Sequence, residues 1–186
     1  MNRWIDIGLI LVFFGSLKST PADSSTPPGS VCWPLHFSGI VLGVTTDSQV
    51  QRLLGQGVVR KNDWETAGRY FIDAKGSATL HVVGYTDAVV GEVTILRGID
   101  PSITPTERPR ATTKWFDLDE GFGNWHALRL GSSKEDVLKN LGTPEKKKSA
   151  DEWTYSTTCT CELPEFFTLF FKNGQIFKIV LSAPAG

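Results

Sequence analysis

Apolar positions recur along this chain in two nearly identical arrangements. In the stretch Leu130 to Pro144, Val137 and Leu141 stand four apart and share a helix face, which Leu138 widens. Ser133 suits the N-cap, with Asp136 three residues on and acidic side chains in the first turn. Gly142 can take the left-handed conformation that ends a helix, and Pro144 prevents its resumption. The spacing therefore predicts a short helix between these marks. Upstream, Thr46 and Gln49 predict a capping box, opening a second short helix that runs through Val50 and Leu54 to Gly55.

The two arrangements match beyond the helices. Phe37, Ile40 and Gly43 repeat 88 residues later as Trp125, Leu128 and Gly131. Thr46, Val50, Leu54 and Gly55 repeat 87 later as Ser133, Val137, Leu141 and Gly142, so the first copy holds one extra residue between Gly43 and Val50. Glu92, Val93 and Ile95 find Lys178, Ile179 and Leu181 at an offset of 86. This is the pattern of a duplication with small loop changes.

After each helix the period changes from helical to alternating. In the first copy, 68–73 reads as a strand with Tyr70 and Ile72 on one face, 78–83 as a second and 89–96 as a third, with a turn at Thr86-Asp87. In the second, Trp153 and Tyr155 share a strand face, and 166–172 with 175–181 form a hairpin across Asn173-Gly174. Phe166 and Phe170 point opposite to Phe167, Leu169 and Phe171, so that strand is apolar on both sides. The expected fold class is α+β: two tandem repeats, each a short helix pair packed on a three- to four-stranded antiparallel sheet.

The flanks complete the organisation. Arg3, the apolar run from Ile7 to Leu17 and Thr20-Pro21-Ala22 make residues 1–22 a secretory signal peptide or an uncleaved anchor. The run is too short to span a bilayer comfortably. Residues 23–31 read as a flexible spacer, 32–97 as repeat 1, 98–113 as an irregular Pro-rich linker and 114–182 as repeat 2. Among 186 residues, 19 basic side chains against 20 acidic give no basic patch, which argues against nucleic acid as a partner.

The pattern Trp125, Leu128, Gly131, Ser133, Val137, Leu141, Gly142, Pro144, then Trp153 and Tyr155, then Asn173-Gly174, resembles the SmpA/OmlA (BamE-like) family. The tandem arrangement is similar to beta-lactamase inhibitory protein. The first resemblance implies a non-catalytic, exported protein-binding module in the periplasm or cell envelope of a bacterium, at the outer membrane. The second implies an inhibitor of a secreted or periplasmic enzyme. In both cases the partner is another protein, either an envelope component or a secreted enzyme.

Candidate chemistry is sparse. Cys159 and Cys161 form a close pair, and with Cys32 they offer alternative disulfides in an exported chain; the sequence does not choose among them. A metal site needs three or four convergent ligands, and His36, His81 and His126 are the only histidines, so no metal or other cofactor is expected. No Gly-x-Ser-x-Gly elbow exists, and Asp117, Asp119 and Glu120 read as a solvated turn, so no catalytic residues are assigned and the chain is not read as an enzyme. Lys146-Lys147-Lys148 offers peripheral contact with anionic lipid. The partner-binding candidates are the strand aromatics Trp153, Tyr155, Phe166 and Phe170, because large rings contribute most at interfaces.

Overall fold

A computed structural model of the chain describes residues 36–61, 67–84, 89–113, 128–156 and 166–183. Strands β1 (His36–Phe37) and β2 (Ile40–Val41) form a small hairpin, followed by α1 (Asp47–Leu54). A meander follows, of β3 (Val58–Lys61), β4 (Ala67–Asp73), β5 (Ala78–Gly84) and β6 (Val90–Arg97). Next come α2 (Arg108–Ala111) and β7 (Thr112–Thr113), then α3 (Lys134–Leu141). A second meander has β8 (Lys146–Ser149), β9 (Glu152–Ser156), β10 (Phe166–Lys172) and β11 (Gln175–Ser182).

The two meanders are not separate units. They join edge to edge into one nine-stranded sheet of order β3-β4-β5-β6-β11-β10-β9-β8, with the short β7 lying parallel beside β4. This corrects the expected fold class of two tandem helix-pair-on-sheet repeats. The described part of each meander is preceded by one short helix and not a pair, and the structure is mostly sheet. Phe37 and Ile40 are spaced like one turn of helix, but Ser38 and Gly39 both take positive φ and close a two-residue turn. Phe37 and Ile40 are thus cross-strand partners that bury together.

Both helices are set by their ends. Thr46 accepts from the Gln49 backbone while the Gln49 side chain accepts from the Thr46 backbone; Ser133 and Asp136 repeat the arrangement. Gly55 and Gly142 follow the helices at positive φ, where a side chain would be strained. A bridge ties each N-cap to its meander: Thr46 to Val89, and Ser133 to Gln175. Gly43 N–H donates to Val90 O at 2.8 Å and Gly131 N–H to Ile176 O at 2.7 Å. Val90 N–H then returns to Thr45 O at 2.8 Å, and Ile176 N–H to Ser132 O at 2.9 Å. One residue, Val44, separates the glycine from the acceptor in the first copy, and none does in the second. Val44 is therefore the extra residue.

Strand alternation divides the sheet into two faces. The face under α1 and α3 carries Phe71, Leu80, Val93 and Ile95 from the first meander. Tyr155, Phe167, Leu169 and Ile179 lie on the same face in the second. Val50 and Val137 from the helices are fully buried against it. Leu141 is only partly buried and Leu138 is 41% exposed, so the apolar stripe of α3 is narrower than its sequence suggests. Tyr155 stacks on Phe167 at 4.9 Å and its hydroxyl donates to Gly142 O at 3.2 Å, which joins the second sheet half to the end of α3. On the opposite face, Val58, Ile72, Ile103 and Ala111 form a second cluster, with Tyr70 and Ile99 against it. The span 98–113, expected to be an irregular linker, thus includes a helix and a strand and lies on the back of the first meander.

The burial pattern separates two leucines. Leu169→Ala should destabilise the fold by about 2–5 kcal/mol, and Leu138→Ala by less than about 0.5 kcal/mol. Urea unfolding of the two variants beside the wild type measures both.

Candidate functional site

Structure and sequence disagree first over the rings chosen as binding anchors. Trp153 is 5% exposed and Tyr155 is fully buried. Both lie on the helix side, paired in register with Leu169 and Phe167. Trp153 packs on Phe171 at 4.7 Å, and Lys147 Nζ lies 4.7 Å from its ring centroid. Lys134 Nζ approaches the same pair of rings while bridging to Asp151 at 2.7 Å. The assignment of Trp153 and Tyr155 as partner-binding residues is therefore corrected: they are core. The indole N–H of Trp153 is buried and has no hydrogen-bond acceptor among the described residues. Cys32, Cys159 and Cys161, the candidate disulfide residues, lie outside the described residues, as do residues 1–22, Asp117, Asp119, Glu120 and His126.

Phe166 and Phe170 are on the other face, half-buried, where the sequence placed them. A row of cross-strand partners runs over that whole face: Val58, Tyr70, His81, Thr94, Val180, Thr168, Thr154, Lys146. At its first end the row is covered by 99–113. Towards its second end it carries the Thr154 and Thr168 hydroxyls, 3.0 Å apart, flanked by Phe166 and Phe170 on either side of Thr168. Lys178 Nζ lies 4.4 Å from the Phe170 centroid. Among the described residues no helix or loop packs over this second half of the back face.

The covered half holds a group of packed polar residues. His81 stacks on Tyr70 with ring centroids 4.0 Å apart. A Cβ added at Gly68 would run into His81 Nε2, so only glycine leaves room for that ring. Burial lowers the His81 pKa from its usual value, and the nearby Asp100 carboxylate opposes the shift. Burial also raises the Tyr70 pKa, with Asp100 adding to it and the Ser102 hydroxyl and the Arg60 charge opposing it. Arg60 donates to Glu107 at 2.7 Å and to Ser102 O at 3.2 Å, fastening the 99–113 span to the edge strand. The Arg60 and Thr104 hydrogen bonds hold the Glu107 carboxyl down at about 2. This is an anchoring arrangement. No three His, Cys, Asp or Glu side chains converge as metal ligands among the described residues.

A surface missed in the sequence lies beside α1. Val44, 66% exposed, and Leu53, 40% exposed, line a groove with Gly39, Thr45, Gln49 and Arg52. Its volume is about 280 Å³. The signal for it was present in the sequence as the extra residue of the first copy. Asp47, close by on the same helix, is occupied: Arg69 and Gln51 both bond its carboxylate, and Arg69 chiefly holds its pKa below the usual value.

Two variants test these placements. Trp153→Ala should destabilise the chain by about 3–5 kcal/mol, as truncation of a buried ring does, measured by urea unfolding. His81 sets a pH dependence. A neutral imidazole preferred by the fold contributes stability that is present above its unfolded value near 6.5 and is lost as pH falls through the lower folded value. Melting temperature should therefore fall between pH 7 and pH 5, and His81→Gln should flatten that slope relative to the wild type.

No family model matches the chain, and no curated protein sequence matches it. Among solved structures, a DUF4309-family protein, YjgB, from Bacillus subtilis is similar with a TM-score of 0.47 and 12% identity, over 78% of this chain and 83% of that one. An extracellular protein containing an SCP domain, from Bacillus anthracis, is similar with a TM-score of 0.45 and 9% identity, over 91% of this chain and 50% of that one. Neither is an SmpA/OmlA protein or a beta-lactamase inhibitory protein. The single large sheet with its few short helices is not the tandem helix-pair-on-sheet arrangement that the SmpA/OmlA resemblance implied, and that resemblance is corrected on this ground.

Proposed function

We propose that this chain is a non-catalytic, exported protein-binding module, and that it meets its partner through the second half of the sheet's back face. The observation that carries this reading is the unequal covering of that face. In the first half, Ile99, Ile103 and Ala111 lie on Val58, Tyr70 and Ile72. In the second half, Phe166, Phe170 and Val180 are half-buried among Thr154, Thr168 and Lys178, and no described element lies over them. A flat surface of rings ringed by hydroxyls and a cation suits a protein surface. Aromatic area is desolvated there at little cost in side-chain freedom, and the polar groups take up hydrogen bonds at the rim.

Export rests on Arg3, the apolar run 7–17 and Thr20-Pro21-Ala22. In this reading the module works at the cell envelope and its partner is an envelope protein. Catalysis is not part of the reading. The clustered polar groups at His81, Tyr70 and Arg60 are used to hold the 99–113 span against the sheet.

The double variant Phe166→Ala/Phe170→Ala tests the surface. Used as bait against envelope extract, the wild-type chain should retain a partner. The variant should bind it at least about 30-fold more weakly, the scale of a lost interface hot spot. Its melting temperature should stay within a few degrees of the wild type. Undiminished binding by the folded variant would remove this face from the function.

A further inference from the structure

We propose that the groove beside α1 is a second docking site, which takes the C-terminal tail of a partner protein. The apolar last side chain of the tail would lie on Val44 and Leu53, and its terminal carboxylate would meet Arg52. The residue that shapes the site, Val44, has no counterpart in the second half. The loop before α1 leaves the Gly43 hydrogen bond and re-enters at Thr45, whose carbonyl accepts from Val90. Val44 is thereby looped out of a path that Gly131 and Ser132 follow without an extra residue. Its own N–H and that of Thr45 are both aimed at Val41 O, at 3.3 and 2.9 Å, and the Thr45 hydroxyl accepts from Val41 N–H at 2.8 Å. The loop is therefore fixed with its valine side chain outward, 66% exposed. Leu53 stands in the same groove, turned towards the β1–β2 turn, where a Cβ on Gly39 would lie 3.7 Å from its Cδ1.

Charge selects the occupant. Among the described residues Arg52 makes no ion pair, and Asp47, at the start of the same helix, is taken by Arg69 and Gln51. Gln49 uses its side-chain oxygen on Thr46 N–H at 2.7 Å, and its amide nitrogen has no protein acceptor among the described residues. The groove thus has an apolar floor and a rim of donors, and no carboxylate lines it among the described residues. An anion beside an apolar group complements it, and a guanidinium fits a carboxylate in two parallel hydrogen bonds. At about 280 Å³ the groove sits at the small end of ligand sites, which span roughly 300–1,000 Å³. That suits one or two side chains of a tail, not a folded surface. Capture of a terminal carboxylate is an established way of reading a peptide end.

The experiment titrates the full chain, ¹⁵N-labelled, with the probe peptide acetyl-Gly-Leu-Leu bearing a free carboxylate. The same peptide as its C-terminal amide, and decanoate, are titrated in parallel. The free acid should give saturable amide shifts at Val44, Thr45, Gln49 and Leu53, with the amide at least tenfold weaker. Val44→Ser, at an exposed position, should keep the melting temperature and weaken the acid at least tenfold. Arg52→Gln should bind acid and amide equally. That result separates carboxylate recognition from the general benefit of a cation in a last helical turn. The absence of saturable shifts at these residues, equal affinity for acid and amide in the wild type, or decanoate binding more tightly than the peptide would each overturn the proposal. Phe166→Ala/Phe170→Ala should leave the titration unchanged, so the groove and the back face succeed or fail separately.

Discussion

The pairing of β6 with β11 is the contact on which the rest of this structure depends. Five residues of each strand meet in antiparallel register, from Lys178 opposite Leu96 to Ser182 opposite Glu92. Without it, each meander would end in a bare apolar edge open to other chains. With it, Val93 and Ile95 face Leu181 and Ile179, and the residues under α1 and α3 become one continuous core. Strand order then reads outward from the centre as β6, β5, β4, β3 on one side and β11, β10, β9, β8 on the other. The register shifts follow the same order. Gly91 is the unpaired residue between the β5 and β6 pairs, and Phe177 between those of β10 and β11. The outer edge at β8 is built from Lys146, Lys147 and Lys148, all exposed, which discourages further strand addition.

What could be read from the sequence was local chemistry with a single solution. Thr46 with Gln49, and Ser133 with Asp136, have one helix-starting geometry, and both adopt it. Asn173-Gly174 tolerates positive φ at both positions, 53° and 76°, and turns the β10–β11 hairpin as expected. Spacing was ambiguous where two geometries share it. Phe37 and Ile40 satisfy a helix turn and equally a tight hairpin. The deciding fact was that Ser38 and Gly39 could both adopt left-handed conformation, which propensity alone does not weigh.

The site was harder to read because alternation says which residues share a face and not which face is covered. Phe166 and Phe170 were correctly set opposite Phe167, Leu169 and Phe171. Trp153 and Tyr155 were set on an exposed face, although their register partners are Leu169 and Phe167. Register is a long-range property, fixed here by the β9–β10 pairing, so strand residues considered one strand at a time could not be assigned a side. Had the partners been known, Trp153 and Tyr155 would have followed Leu169 and Phe167 under α3.

The two halves also show how a duplicated frame acquires different surfaces. Fold-setting positions are kept in both: the caps, the glycine hydrogen bonds, the buried valines and the two bulges. Departures fall where the frame tolerates them. In the first half, 99–113 covers the back face, and Arg60, Glu107 and the His81–Tyr70 stack hold it there. The second half carries Phe166 and Phe170, where the symmetric positions in the first are Thr79 and Val83. One looped-out residue, Val44, lines a groove at α1, and the path through Gly131 and Ser132 in the second half has no such extra residue. A single insertion before a capped helix costs the core little, because the glycine and cap hydrogen bonds on either side are unchanged. Physical freedom in this molecule is therefore concentrated in the back face and the loop before α1, and these are the places where a binding role can differ between halves without disturbing the sheet that joins them.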